Sequence, residues 1–177
     1  MIVLIVGDFG VGKDTVADLL IKESLKHNDC EKFIKILSYA TRKPRYDGED
    51  THTFVSEDDF LSFDDIVAST KIGDHYYGTR RSQFNDEKVN LYCVDDQGVK
   101  DIFEANFDDI IVVEVIRPKW LIDIPEDRLN RKRHGNPYPY PVDYRIMNDG
   151  DLYKLEASVL ECFNYIIKEL KKESVVH

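Results

Sequence analysis

Apolar residues in this chain recur with two different periods. Residues 1–6 form an unbroken run of Met, Ile, Val and Leu with no charge, ending at Gly7. Short, β-branched and glycine-bounded, the run predicts a buried strand. Similar runs at 33–37, 90–94, 110–116 and 144–147 predict further strands, and Ile-Ile-Val-Val-Glu-Val-Ile at 110–116, the most hydrophobic after the first, reads as a central strand. Helical spacing separates them. Val16, Leu19 and Leu20, with the stripe continuing to Leu25, mark a helix over 14–26, and a second helix is expected over 99–105. Leu152, Leu155, Val159, Phe163, Ile166 and Leu170 mark a closing helix over 152–170, with a frayed tail at 171–177. Strands alternating with helices predict an α/β core. Between the second and third core strands the pattern changes. Strand-like stretches at 51–55, 67–72 and 75–79, a glycine turn at Gly73 and a short helix over 57–63 capped by Ser56 predict a small antiparallel or mixed lobe inserted in that core.

With 177 residues, 42% of them apolar, the chain has material for one domain carrying a small lobe. Its 34 acidic and 24 basic residues give a net charge of −10, which argues against a general nucleic-acid surface. A single basic cleft for a phosphorylated small molecule stays compatible with that balance. Cys30, Cys93 and Cys162 are widely spaced, and the five histidines form no zinc pattern, so reduced thiols in a cytoplasmic protein are expected. The apolar start has no basic leader and reads as a strand, and no run approaches the ~20 apolar residues of a membrane span. No membrane partner is expected.

The candidate chemistry begins where the first strand ends. Gly7-Asp8-Phe9-Gly10-Val11-Gly12-Lys13-Asp14-Thr15 sets four residues between Gly7 and Gly12-Lys13, between a strand and a helix. In such a loop successive N–H groups converge on phosphate oxygens, and the helix N-terminus adds partial positive charge. Lys13 is expected to reach the β- and γ-phosphates. The position after the lysine, where a hydroxyl usually holds Mg²⁺, is Asp14, and the hydroxyl follows at Thr15. A carboxylate also binds or water-bridges a hard cation.

Two other basic segments stand out in this acidic chain. Arg42, Lys43 and Arg45 cluster around Pro44 just after the second strand, and arginine grips phosphate bidentately. Arg128, Arg131, Lys132 and Arg133 precede prolines at 137, 139 and 141; this stretch is either a short lid carrying arginines or a charged helix end before a stiff loop. Asp95-Asp96-Gln97-Gly98 puts carboxylates at the C-terminal end of a strand, where open α/β sheets bind ligands. Together these features predict phosphoryl transfer between two phosphorylated substrates, which needs positioning and charge neutralisation more than covalent chemistry.

The motifs also carry a resemblance. Ser38-Tyr39-Ala40-Thr41-Arg42-Lys43-Pro44-Arg45, Gly48-Glu49, Phe54-Val55-Ser56, Tyr76-Tyr77-Gly78-Thr79, Asp95-Asp96-Gln97-Gly98, Arg128-Leu129 and Asn148-Asp149 occur in the order found in the guanylate kinase family of nucleoside monophosphate kinases. The match runs over about residues 2–170. Gly12 to Asp18 also resembles the phosphate loop of phage-type deoxynucleoside monophosphate kinases. The resemblance implies a P-loop three-layer sandwich with a parallel five-stranded core (1–37 and 88–177), a mixed-sheet monophosphate-binding lobe (38–87) and a short lid (131–143). It implies that ATP donates its γ-phosphoryl group, with Mg²⁺, to a nucleoside or deoxynucleoside monophosphate.

By the same resemblance, Gly7, Gly10, Val11, Gly12, Lys13, Asp14 and Thr15 would hold the donor triphosphate, with Asn148 beside its adenine. Ser38, Arg42, Arg45, His52 and Tyr77 would hold the acceptor phosphate, and Thr79 and Asp95 would approach the acceptor base. Arg128, Arg131 and Arg133 would close on the transferring group; Asp14, Thr15 and Asp95 would serve the metal. His52 stands where the family has a tyrosine, Ala68 where it has a guanine-reading glutamate, and Cys93 where it has a second aspartate. The family's catalytically silent protein-binding modules, and a kinase acting on another small metabolite, are the alternative readings. The surviving phosphate loop and Lys13 disfavour the first, and the intact Arg42–Arg45 loop disfavours the second. A monomer or a homodimer is expected.

Overall fold

Val3, Leu4 and Ile5 are fully buried at the centre of a parallel sheet, as an uncharged β-branched run requires. The computed structural model describes residues 1–27, 32–118, 121 and 140–173. Among these, β1 (Ile2–Val6), β2 (Phe33–Ile36), β7 (Val89–Cys93), β8 (Ile110–Ile116) and β9 (Tyr144–Met147) form a five-stranded sheet in the order β2-β7-β1-β8-β9. Every neighbouring pair in it is parallel. The α/β core with a parallel five-stranded sheet is therefore as expected. β1 holds the middle position, and β8, read from its pattern as a central strand, is an interior strand between β1 and β9.

Helices α1 (Lys13–Ser24) and α4 (Leu152–Glu173) pack on one face of this sheet, and α3 (Asp96–Glu104) lies on the other. The buried stripe of α1 is Val16, Ala17, Leu20 and Ser24. Leu25, expected to continue it, is 71% exposed because the helix has already ended. In α4 the buried set is Leu155, Val159, Cys162, Phe163 and Ile166, while Leu152 at the first turn is exposed. This helix runs on through Glu173 instead of fraying after Leu170.

The second sheet has the order β4-β3-β6-β5, from β3 (Tyr39–Ala40), β4 (Thr53–Phe54), β5 (Ile66–Ile72) and β6 (His75–Arg80). One pair, β3 with β4, is parallel and the other two are antiparallel, so the sheet is mixed. The short strand β3 was not expected inside the basic loop. Its two residues gain strand geometry by pairing with β6, forty residues away in the chain, which local pattern cannot reveal. Helix α2 (Glu57–Leu61) starts as expected at Ser56, whose hydroxyl accepts from the Asp59 N–H. Phe60 of that helix stacks on Tyr76 at 5.6 Å.

Helix α3 begins three residues earlier than its apolar pattern suggests. Asp95 is its N-cap, and its carboxylate accepts from the Gly98 N–H at 2.8 Å. The C-terminal ends of β1, β2 and β7 therefore all open toward the second sheet, and one cleft of about 520 Å³ lies there.

Candidate active site

The phosphate loop leaves β1 at Gly7 and enters α1 at Gly12. Both are glycine for steric reasons. A Cβ on Gly7 would sit 2.4 Å from the Val115 carbonyl oxygen, and one on Gly12, at φ +99°, would sit 2.7 Å from the Asn148 amide nitrogen. Lys13 folds back over the loop and donates to the carbonyls of Gly7 (2.8 Å) and Asp8 (3.1 Å). Burial pushes its ammonium pKa below the usual lysine value, although Asp14, Asp8 and Asp95 pull it the other way. Phe9, Gly10, Gly12, Lys13, Asp14 and Thr15 line the cleft.

Asn148, expected near the donor base, is buried and donates from Nδ2 to the Val11 carbonyl at 2.8 Å. It thus clamps the phosphate loop from behind. Gly7 and Val11 likewise support the loop from beneath and are not among the residues lining the cleft.

Across the cleft stand Ser38, Arg45, Thr51, His52, Tyr77 and Asp95. Arg42 takes a different place. Its guanidinium is buried and makes a bidentate pair with Glu49, at 2.8 Å and 2.6 Å, while resting over the Phe54 ring. Glu49 also accepts from the Arg45 backbone N–H (2.7 Å) and the Thr51 hydroxyl (2.7 Å). The hydrogen bond from Arg42, with those from Arg45 and Thr51, holds the Glu49 carboxyl far below the usual carboxylate range. Glu49 is the organising residue of the basic loop, and pattern reading passed over it. The available signal was one acid four residues after Arg45 and seven after Arg42.

His52 meets the edges of Tyr77 (5.4 Å between centroids) and Phe54 (6.1 Å). Its Nδ1 is buried without a hydrogen-bond partner, as is Nε of Arg42. Burial, then the positive field of Arg42 and Arg45, lowers the His52 pKa below its usual value. Buried nitrogens without a partner are uncommon, and His52 is the one of the two residues that lines the cleft.

Toward the metal, Asp14 lies at the loop's end but its carboxylate pairs with Lys35 of β2 at 3.0 Å, and the same Nζ is 3.1 Å from Asp18. Among the described residues no group of three or more His, Cys, Asp or Glu side chains gathers to hold a metal by itself. Asp14, Thr15 and Asp95 line the cleft and carry the kind of oxygens that Mg²⁺ accepts beside phosphate and water. Thr79 is fully buried and does not itself line the cleft; its hydroxyl meets those of two lining residues, Tyr92 at 2.7 Å and Ser38 at 3.5 Å. Cys93 lines the cleft, and burial pushes its thiol up to about 12. Arg128, Arg131 and Arg133, with most of the expected lid, lie outside the described residues.

A family model described as guanylate kinase matches residues 1–140. The chain belongs to the guanylate kinase family. Relatives named guanylate kinase include one from Aster yellows witches'-broom phytoplasma (strain AYWB), 36% identical over a 178-residue alignment covering 94% of this chain and 77% of the relative. Another, from Latilactobacillus sakei subsp. sakei (strain 23K), is 25% identical over 94% of this chain and 80% of its own length. The fold is also similar to the crystal structure of guanylate kinase from Anaplasma phagocytophilum, with TM-score 0.62, 22% identity, and coverage of 96% of this chain and 85% of that one. Within this guanylate kinase-family fold, the phosphate loop and the Arg45–His52–Tyr77 surface face one another across a single cleft.

Proposed function

We propose that the protein transfers the γ-phosphoryl group of ATP to a nucleoside monophosphate. The observation that carries this reading is that one cleft is lined on one side by a phosphate loop with a buried lysine and on the other by Arg45, His52 and Tyr77. Two anion-binding surfaces sharing a cleft suit a donor phosphate chain and an acceptor phosphate held in line. Family membership supports the same conclusion.

In this reading the loop N–H groups from Gly7 to Thr15 cradle the donor phosphates, and Lys13 exchanges its carbonyl partners for phosphate oxygens. Arg45, Tyr77 and His52 orient the acceptor phosphate, while Glu49 holds Arg42 behind them as a fixed positive charge. Asp95 and Ser38 face the nucleoside. Thr15, Asp14 and Asp95 supply oxygens for Mg²⁺, which when bound neutralises charge on the transferring group. Arg128, just before the lid, and Arg131 and Arg133 within it would close over it. No general base is needed, because the acceptor is already a nucleophilic phosphate oxygen. The division into a core (1–37, 88–177), an acceptor lobe (38–87) and a lid (131–143) belongs to this proposal.

An ADP-release assay with ATP·Mg against GMP, AMP, CMP, UMP and their deoxy counterparts (with dTMP) tests it, using Lys13→Ala as control. Turnover of one or more acceptors is expected, falling about 100-fold or more in Lys13→Ala. ATP binding without turnover of any acceptor would move the reading to a kinase of another metabolite. Absence of ATP binding would move it to a protein-binding module.

A further inference from the structure

Tyr92 sits in β7, where an apolar strand would ordinarily bury a hydrocarbon side chain. It is 4% exposed and yet lines the cleft. Its hydroxyl meets two others. The Thr79 hydroxyl donates to it at 2.7 Å, and Ser38 Oγ lies 3.4 Å from it and 3.5 Å from Thr79 Oγ1. The three oxygens come from three places in the chain: the link between β2 and β3, β6 of the lobe, and β7 of the core. Thr79 is fully buried, and the Tyr92 hydroxyl is the nearer of its two hydroxyl partners. Among the described residues the Ser38 hydroxyl meets only the two long edges of the triangle, so its proton can turn toward a ligand at little cost.

We infer that Tyr92 is a positioning residue for the acceptor nucleotide: its hydroxyl orients Thr79 and Ser38 as a neutral donor–acceptor set that meets the polar edge of the nucleoside. This rests on the reading of the cleft as an acceptor site. The recognition is for an uncharged group, a base edge or sugar hydroxyl, and not for the phosphate. A hydroxyl triangle can offer a proton to a carbonyl or a lone pair to an amine, whereas Arg45 and His52 serve the anion at the other end of the ligand. The same triangle joins the lobe sheet to the core sheet at the floor of the site. Tyr92 thus sets the position of two hydroxyls carried by the lobe and its link relative to the strand that leads into Asp95.

The test is isothermal titration of GMP, AMP, CMP and UMP, and separately of ATP, into wild type, Tyr92→Phe and Thr79→Val, alongside kcat and KM. Tyr92→Phe keeps the ring packing and deletes only the hydroxyl. Expected is a loss of about 3- to 10-fold in affinity for each monophosphate that wild type binds, with ATP affinity and kcat within about twofold and the melting temperature little changed. Thr79→Val is expected to shift the same constants in the same direction. Monophosphate affinity unchanged in Tyr92→Phe overturns the inference while leaving the kinase reading intact. Equal losses for ATP and monophosphate also overturn it, since they mark a merely structural role. Wild type that binds a monophosphate without transferring phosphoryl ends the kinase reading, and the binding comparison still decides Tyr92. The deoxy counterparts and dTMP are titrated in the same way, and wild type that binds no monophosphate of this panel ends both.

Discussion

At the scale of single residues, the acceptor surface is set by who neutralises whom. Glu49 holds the Arg42 guanidinium and the Arg45 backbone, so the loop's positive charge is fixed in place and not free to wander in solvent. Removing flexibility in advance is what lets a few hydrogen bonds orient a phosphate. His52 is the most responsive group in that field. Burial depresses its pKa, the cations Arg42 and Arg45 depress it further, and Glu49 and Asp14 oppose them. Its protonation therefore favours the unfolded chain, and its contribution to stability is lost as pH falls below the ordinary histidine value of 6.5. A phosphate dianion beside Arg45 reverses the sign of the local field. An NMR titration of His52 is expected to give a midpoint below 6.5 in the free protein, moving up when inorganic phosphate or a nucleoside monophosphate is added. A midpoint indifferent to both ligands would remove His52 from the phosphate site.

At the scale of elements, the phosphate loop is a tight turn braced by a neighbour from the far end of the chain. Asn148, just beyond β9, donates to the Val11 carbonyl and occupies the space that a side chain on Gly12 would need. Asn148→Ala removes the hydrogen bond from Nδ2 to that buried carbonyl and is expected to cost about 1–3 kcal/mol in urea melts. ATP affinity should fall while acceptor affinity is retained, because the acceptor surface belongs to the other sheet. Gly12→Ala should be worse, since it adds left-handed strain to a clash with Asn148. An Asn148→Ala protein as stable and as tight for ATP as wild type would disprove the brace.

For the whole molecule, the acidic balance hides a dependence on a few paired carboxylates. Glu49 carries a strongly depressed pKa, and Asp65, hydrogen-bonded by Ser82 and Arg80, titrates near 2 instead of its usual 3.8. Groups with depressed values stabilise the fold above their unfolded pKa and cease to as pH falls toward the folded one. Both pairs tie the small sheet together: Glu49 braces the loop between β3 and β4, and Asp65 holds the end of β6 beside the start of β5. The melting temperature is therefore expected to fall steeply from about pH 4.5 down to about 2. Glu49→Gln should melt lower at neutral pH and show a shallower acid limb, because one of the titrating groups is gone. An acid limb as steep as in wild type would acquit Glu49.

The chain's own pattern settled the core strands and main helices, the place and glycine requirement of the phosphate loop, and the presence of a lobe with a basic loop. Each of these rests on local physics: apolar period, left-handed backbone, capping chemistry and charge density within a few residues. Tertiary structure alone decided which side chains face the cleft. Arg42 and Arg45 are three residues apart and chemically alike, yet one is buried on Glu49 and the other lines the site. Tyr92 reads as a core residue until β6 brings Thr79 to its hydroxyl, and Asn148 reads as a turn until Val11 arrives beneath it. The reason is the same in every case: a polar side chain's role is fixed by the partner that satisfies it once water is excluded, and that partner is brought by the fold, from seven residues on for Arg42 to the far end of the chain for Val11.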